Sequence, residues 1–407
     1  MQTVLFVGAG RHQRRAIKQA RARGLRVVAV DRNSKAPGLE SADLSEVVDF
    51  MAVAEVVEVA RRIGIDGVLT VSADRAVPVV AAVAEKLGLP GIGVGTAHLL
   101  THKRAMRDVL GGARLPQPAF ASLRSAEDVD AALAEVAFPA VLKPVDSGGQ
   151  RAVFRIDSRE ELEHNLTEAI AESSTDEALL EGFVEGIELN GIVIARNGEP
   201  AVITLSDRLR PPGIGFGVGW IHVYPPSIPP EQLRLAERVA ADSVRALGLR
   251  DAIAFPQLIA SPDGTVAVVE VAARIPGGQM ADLVRHAVGV DLVEVALRQA
   301  LGDAVPDDVA LPRFSQPVAI RFFTAEPGPL PTGRVTRVGS LDGVLASEGV
   351  VQADTYLQLG ETIRPVRRDG DRRGYVIAVA DTGAEALRRA EIAATRLEVE
   401  VEVEAAA

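Results

Sequence analysis

The sequence predicts an α/β chain, α+β overall, with a parallel sheet at the N-terminus and a largely antiparallel sheet after it. Three observations carry this. The first ninety residues alternate short β-branched runs with helical stretches, the rhythm of βαβ units. Further on, hairpin signals replace that rhythm, above all Asn197-Gly198 between two strand-like runs. The chain has 407 residues, 47% of them hydrophobic, and at about 150 residues per domain it holds two or three units with cores of their own.

Taken in order, residues 3–7 read as strand, 13–23 as helix, 26–30 as strand, 52–63 as helix, 67–71 as strand and 75–87 as helix. Gly88-Leu89-Pro90-Gly91 breaks the pattern and closes a first domain, 1–95. In a second unit, 96–315, residues 98–110 read as one helix. Strands at 139–144 and 152–156 follow, on either side of a Ser147-Gly148-Gly149 turn. Ser158, with Glu161 three residues on, predicts a capping box that opens a helix toward Glu172. Strands 188–196 and 200–205 flank Asn197-Gly198, a helix spans 231–247, and strands 252–260 and 265–271 flank Ser261-Pro262-Asp263-Gly264, a type I turn sequence. The Pro- and Asp-rich stretch 306–317 links to a third unit, 316–407, with strands 318–324 and 375–380, a Gly/Pro turn at 327–333 and a helix over 384–396. Residues 397–404 alternate with period two, which suits a half-buried strand and an acidic tail equally.

Composition narrows the function classes. Forty-four Lys and Arg against 55 Asp and Glu give a formal net charge of −11, which repels nucleic-acid phosphates and anionic lipid surfaces. The chain has no cysteine, so disulfides, thiolate nucleophiles and Cys-ligated metals are excluded, in keeping with a reducing cytoplasm. Aromatic residues make up 4%, too few for base-stacking platforms. No run of about 18 apolar residues exists, and residues 1–8 are too short for a signal-peptide core. A soluble cytoplasmic protein with small-molecule partners, and neither nucleic acid nor membrane, is expected.

Two places could take a nucleotide. Gly8-Ala9-Gly10 follows a strand and precedes a helix, with Asp31 ending the next strand, the layout of a dinucleotide fingerprint; the third glycine, however, falls at Gln13, and the same layout makes an ordinary tight turn. The second place starts at Lys103, at a helix start, and Lys143, which closes an apolar strand and leads into Ser147, Gly148, Gly149, Gln150 and Arg151. Glycine-rich backbone amides beside a point cation make a phosphate cradle, although Gly148-Gly149 alone also makes a hairpin turn. In 180–188 a strand gives way to an apolar connector that offers backbone donors and acceptors to a flat heterocycle. Glu188 there is available for ribose hydroxyls, unless it and Glu181 are exposed strand carboxylates. Gln257 and Glu270 lie on two hairpin-linked strands and offer oxygen ligands to a hard cation such as Mg2+. Arg274, beside Gly277-Gly278, is placed to meet an anion.

In this order, these segments resemble the ATP-grasp superfamily and, within it, the L-amino acid ligase (dipeptide synthetase) branch of carboxylate-amine ligases. The likeness is dense from Thr101 to Leu292, and Ala319 to Phe323, Pro327-Gly328 and Arg373 to Ile377 support it. The resemblance implies a Rossmann-like first domain, an ATP-grasp domain with a mobile lid over about 118–183, and a C-terminal α+β domain. It implies ATP and Mg2+, a carboxylate and an amine as substrates, ADP and phosphate as products through an acyl phosphate, and a homodimer. By the same resemblance, Lys103 and Lys143 contact phosphates under a loop from Ser147 to Arg151. Glu181, Phe183 and Val184 bind adenine, Glu188 the ribose, and Gln257 and Glu270 the metal. Arg274, with the amides of Gly277 and Gly278, serves the reacting acyl phosphate. Arg210, Trp220 and His222 face the substrate, and Arg285 and His286 are helix-face residues near it. Gln257 stands where most of the superfamily has a carboxylate, and Ala272 where many members have Asn, so the metal site is poorer in charge. The other readings are an ATP-grasp carboxylase or formyl-phosphate enzyme of purine metabolism, which shares the domain order, a nucleotide-binding protein without catalysis, and an NAD(P)-dependent dehydrogenase built on Gly8 to Gly10.

Overall fold

The first strand, Thr3–Val7, is buried along its whole length, as expected of a parallel strand covered on both faces. A computed structural model describes residues 1–148, 151–210, 219 and 221–402, and among these the strands form four sheets. Thr3–Val7 pairs in parallel with Arg26–Asp31 on one side and Gly67–Leu69 on the other, and Leu44–Val47 extends the edge. The helix Arg11–Ala22 buries Gln13, Ala16, Ile17 and Ala20 against this sheet; that i, i+3, i+4, i+7 spacing is one face of a helix.

The expected helix at 98–110 is two helices, Val94–Leu99 and Lys103–Gly112. His102 adopts an extended backbone and caps the second through Nδ1, which accepts from Ala105 N at 3.3 Å. A four-stranded antiparallel sheet follows, in the order Phe120–Leu123, Ala178–Gly182, Ala140–Pro144, Phe154–Ile156. It has a core of its own, including Leu123, Leu142, Ile156, Leu162 and Leu180. Ser158 caps the helix Arg159–Ala171 by accepting from Glu161 N, but the Glu161 carboxylate takes Asp157 N instead of returning to the cap residue, so the capping box is half formed.

The largest sheet is eight-stranded: Val266–Ala272, Ala252–Ala260, Ile187–Arg196, Glu199–Leu209, Ile221–Tyr224, Val318–Phe322, Gly374–Val379, Val350–Thr355. It runs without a break across residue 315. Asn197-Gly198 makes the hairpin turn, both residues with positive φ. The Ser261–Gly264 turn is closed by Gly264 N donating to Ser261 O at 3.0 Å. Val399–Glu402 pairs with Gly333–Val338, which settles the alternating terminus as a strand as far as residue 402.

The N-terminal sheet docks onto the large one through a short parallel bridge. Val71 pairs with Ile275, and Ser72 N donates to Ile275 O at 2.9 Å. Gln13, in place of a third glycine, donates its side-chain amide to Val71 O. The segment just past the strand Gly67–Leu69 is thereby fixed against the residues that follow Val266–Ala272.

Candidate active site

Where the three sheets converge lies a cavity of about 800 Å³, a size usual for small-molecule sites. Lys143 reaches it from the small antiparallel sheet, Gln257 and Glu270 from the large sheet, Asp74 from the carboxyl end of the parallel sheet, and Tyr356 and Arg372 from the C-terminal part. Ligands of open α/β sheets bind beyond those carboxyl ends.

The two lysines are not free surface cations. Lys103 is 8% exposed, and its Nζ donates to Ser147 O at 2.7 Å, so it already holds the start of the glycine-rich loop. Lys143 is buried and lies 2.7 Å from Glu181 Oε2. The register sets Val141 opposite Glu181, which puts Lys143 diagonally across from it on the same face. Arg107, which the sequence reading passed over, donates Nε to Glu181 Oε1 at 2.8 Å, Nη1 to Val268 O at 2.8 Å and Nη2 to Val269 O at 2.6 Å. Burial pushes the Glu181 carboxyl up, but the charges and hydrogen bonds of Arg107 and Lys143 outweigh it and hold it down at about 2. Glu181 is therefore neither an exposed carboxylate nor a free acceptor for adenine. Phe183 and Val184 line the cavity just beyond it, where the backbone of the connector is what a base would meet. Arg155 lies 4.6 Å over the Phe183 ring. Gly148 and Arg151 are described, and Arg151 pairs with Glu172 at 3.2 Å; Gly149 and Gln150 lie outside the described residues.

Glu188 lines the cavity, and its two oxygens accept from Arg208 and Arg210. Arg210 thus pairs with a carboxylate of this chain while lining the cavity. Trp220 lies outside the described residues. His222 is buried; its Nδ1 is 3.1 Å from Asn190 Nδ2, and its Nε2 lies 3.2 Å from where a Cβ on Gly278 would sit. Burial, with Arg372 and Arg208 nearby, pushes the His222 ring far below its usual range, so it is neutral. Gly278 has φ of +66° and packs against His222 and Arg372, which explains glycine there on both counts. Arg285 and His286 are helix-face residues, on Met280–Val288; Arg285 faces a smaller neighbouring cavity of about 150 Å³, His286 sits 3.4 Å from Gln352, and neither lines the large cavity.

Gln257 and Glu270 are direct cross-strand partners, and Gln257 is opposite Asn190 on its other side. Directly opposed residues share a face, so Glu270, Gln257 and Asn190 form a row along the cavity wall. The register slips just beyond, between Gln257 and Leu258, a bulge of the kind that re-aims side chains beside active sites. Asn190 Oδ1 is buried with no hydrogen-bond partner among the described residues. One carboxylate, one amide oxygen and a neighbouring orphaned oxygen are the donor chemistry a hard cation takes. The chemistry of this row fits magnesium, and Glu270 and Gln257 are the residues that could hold it.

Arg274 is gripped by Asp74: Nε donates to Oδ1 at 2.7 Å and Nη2 to Oδ2 at 2.8 Å. The sequence alone does not single out Asp74. Its one signal was a carboxylate five residues past the end of a parallel strand. Burial raises the Asp74 carboxyl, but Arg274 and, more weakly, Lys103 outweigh that and leave it below its usual range. At the Gly8–Gly10 turn, Ala9 N and Asn33 N donate to Asp31 at 2.8 and 2.9 Å, and the Gln13 amide lies 3.6 and 3.1 Å from the positions that Cβ atoms on Gly8 and Gly10 would take. The acid and the gap are thus used by groups of the chain itself, which favours the tight-turn reading of Gly8–Gly10.

Comparison with known proteins gives the same architecture. Residues 17–91 match the ATP-grasp N-terminal domain, 102–307 the carbamoyl-phosphate synthase L chain ATP binding domain, and 321–402 the L-amino acid ligase C-terminal domain 2. An uncharacterised protein of Sinorhizobium fredii is 30% identical over 325 residues, 78% of this chain and 65% of that one, so the chain spans just under two thirds of that relative. A D-alanine–D-alanine ligase of Desulforudis audaxviator is 29% identical over 50% of this chain and 73% of its own. The crystal structure of L-amino acid ligase from Bacillus licheniformis superposes with a TM-score of 0.85 at 22% identity over 99% of each chain. With the ATP-binding domain accounting for half of its length and an ATP-grasp N-terminal domain before it, the chain belongs to the ATP-grasp family of carboxylate-amine ligases, whose nucleotide is ATP with Mg2+.

Proposed function

We propose that the protein is an ATP-dependent, ADP-forming ligase that joins the carboxylate of an amino acid or related acid to an amine through an acyl phosphate. The observation that carries this reading is the convergence in one cavity of Lys103 and Lys143, the Gln257–Glu270 pair and Arg274 with Gly277-Gly278. ATP carries about four negative charges and the incoming carboxylate adds one, so in-line attack on the γ-phosphorus requires cations on both sides. Lys143 and Lys103 supply charge along the phosphates, and Lys103 orders Ser147 at the loop start. Held by Glu270 and Gln257, magnesium would neutralise phosphate charge and align the γ-phosphoryl group. The backbone beyond Glu181, at Phe183 and Val184, borders the base, and Glu188 with its two arginines borders the ribose. Arg274 and the amides of Gly277 and Gly278 face the acyl carbon and stabilise the oxyanion as the amine adds; losing one such donor typically costs about 3–4 kcal/mol of barrier. Closure over the acyl phosphate excludes water, which would otherwise hydrolyse it. The match of residues 321–402 to an L-amino acid ligase domain favours amino acids as substrates.

The test is incubation with ATP, Mg2+ and all pairs of proteinogenic amino acids, read by phosphate release, nucleotide chromatography and mass spectrometry of the condensed product. ADP with an amide product is expected. AMP and pyrophosphate would remove the mechanism.

A further inference from the structure

Arg274 offers a guanidinium with one edge already taken. Asp74 accepts from Nε and Nη2 in a fork at 2.7 and 2.8 Å, and Arg274 Nη1 is buried with no hydrogen-bond partner among the described residues. A guanidinium is planar, and a bidentate carboxylate fixes both its position and its plane. Arg274 lines the cavity, and the remaining edge is the part of the group that Asp74 leaves for a second acceptor. An unsatisfied buried donor is unfavourable, so the arrangement gains when such an acceptor arrives.

Asp74 is in turn held by parts that belong to another sheet. Gln13 donates to Val71 O, Val71 pairs with Ile275, and Ser72 N donates to Ile275 O at 2.9 Å. The carboxylate is therefore set by the parallel sheet while the arginine is set by the large sheet. A Cβ on Gly148 would lie 3.5 Å from Asp74 Oδ2, so the start of the glycine-rich loop reaches the same carboxylate.

We propose that Asp74 is a positioning residue for acyl transfer: it holds the Nε–Nη2 edge of Arg274 so that the other edge is presented to the acyl carbonyl oxygen. This rests on the ligase reading. In the step concerned the amine lone pair forms a C–N bond to the acyl carbon, the bond from that carbon to the phosphate oxygen breaks, inorganic phosphate leaves with the bonding pair, and the amine gives one proton to solvent. Arg274 steadies the negative charge on the carbonyl oxygen between bond formation and bond breaking.

The experiment is a double-mutant cycle on the full-length protein with ATP, Mg2+ and a mixture of the twenty proteinogenic L-amino acids, read by ADP formation, by ATP affinity and by melting temperature. Asp74→Asn keeps the shape and removes the charge. It should lower kcat by about 10- to 100-fold, short of the 100- to 1,000-fold that losing a transition-state donor brings, while KM for ATP stays within about twofold. In an Arg274→Lys background, the further loss from Asp74→Asn should shrink to less than about threefold, because residues that act through one another are not additive. A residue that merely braced the domains would give additive losses and a lowered melting temperature. Additive losses, or a raised KM for ATP at unchanged kcat, overturn the proposal while leaving the ligase reading intact. Absence of ADP formation by the unaltered protein removes the ligase reading and this inference with it. If Asp74→Asn does not fold, Asp74→Glu keeps the charge and displaces the guanidinium, and the same cycle is read on it.

Discussion

Lys143 and Glu181 form a buried ion pair at 2.7 Å, and the second oxygen of the same carboxylate is taken by Arg107 at 2.8 Å. One carboxylate therefore ties the small antiparallel sheet to the helix Lys103–Gly112 and, through Arg107, to the backbone of the strand that carries Glu270. Lys143, Glu181 and Arg107 are one structural unit, of which Lys143 and Glu181 line the cavity.

That unit sets a difference between two substitutions. Glu181→Ala leaves two buried cations facing each other and should destabilise the protein by about 3–5 kcal/mol. Lys143→Ala leaves Glu181 still compensated by Arg107, so it should destabilise less while still weakening ATP binding. Urea denaturation and ATP titration of both variants decide this; equal stability losses would mean that Arg107 does not carry the carboxylate alone.

Acid should expose the same pair. Glu181 is held at about 2 against an ordinary 4.5. A depressed carboxylate contributes stability that is present above its unfolded value and is lost as pH falls toward its folded value. The melting temperature should therefore decline between pH 4.5 and about 2. Glu181→Gln, lower at neutral pH, should decline less steeply over that interval. Parallel declines would show that other groups set the acid limb.

Much of this was legible in the chain because local chemistry decided it. Thr3–Val7 and Arg26–Asp31 are short apolar runs that only a doubly covered sheet accepts, and Asn197-Gly198 leaves the backbone little choice but a hairpin. Lys143, Gln257, Glu270 and Arg274 stand out by residue type and neighbours, and the fold brings them to one cavity. What the sequence hid was pairing across long separations. Nothing near Asp74 points to Arg274, 200 residues away, nor near Arg107 to Glu181, 74 residues away. Glu188 read as open for the same reason: Arg208 and Arg210 reach it only once the hairpin has folded back.

Glu188 offers a kinetic test of its own place. Its carboxylate is bracketed by Arg208 and Arg210 at the cavity edge, so Glu188→Ala loosens two arginines and, if Glu188 borders the ribose as proposed, also removes that contact. As a contact that persists through the reaction, it should raise KM for ATP several-fold, roughly as uniform binding predicts, with kcat nearly kept. A fall in kcat at constant KM would assign Glu188 to holding the arginines for the other substrate.

The metal pair gives the most direct test, because here the chain departs from the charge pattern it resembles. Gln257 and Glu270 are opposed in register, with Asn190 next in the row, and Glu270 is the carboxylate of the three. If these oxygens hold magnesium, Glu270→Gln removes the charge from the row and should weaken metal binding far more than Gln257→Ala, which removes one neutral donor. Gln257→Glu should tighten magnesium, since hard cations favour carboxylate oxygen. It sets two carboxylates opposite each other, however, and like charges across a strand pair repel when no cation is between them. The variant should thus be less stable than the unaltered protein without metal and recover on adding it. Thermal melts with and without Mg2+ read this independently of turnover. A Gln257→Glu protein whose melting temperature ignores magnesium would place the metal elsewhere and leave the row a structural one.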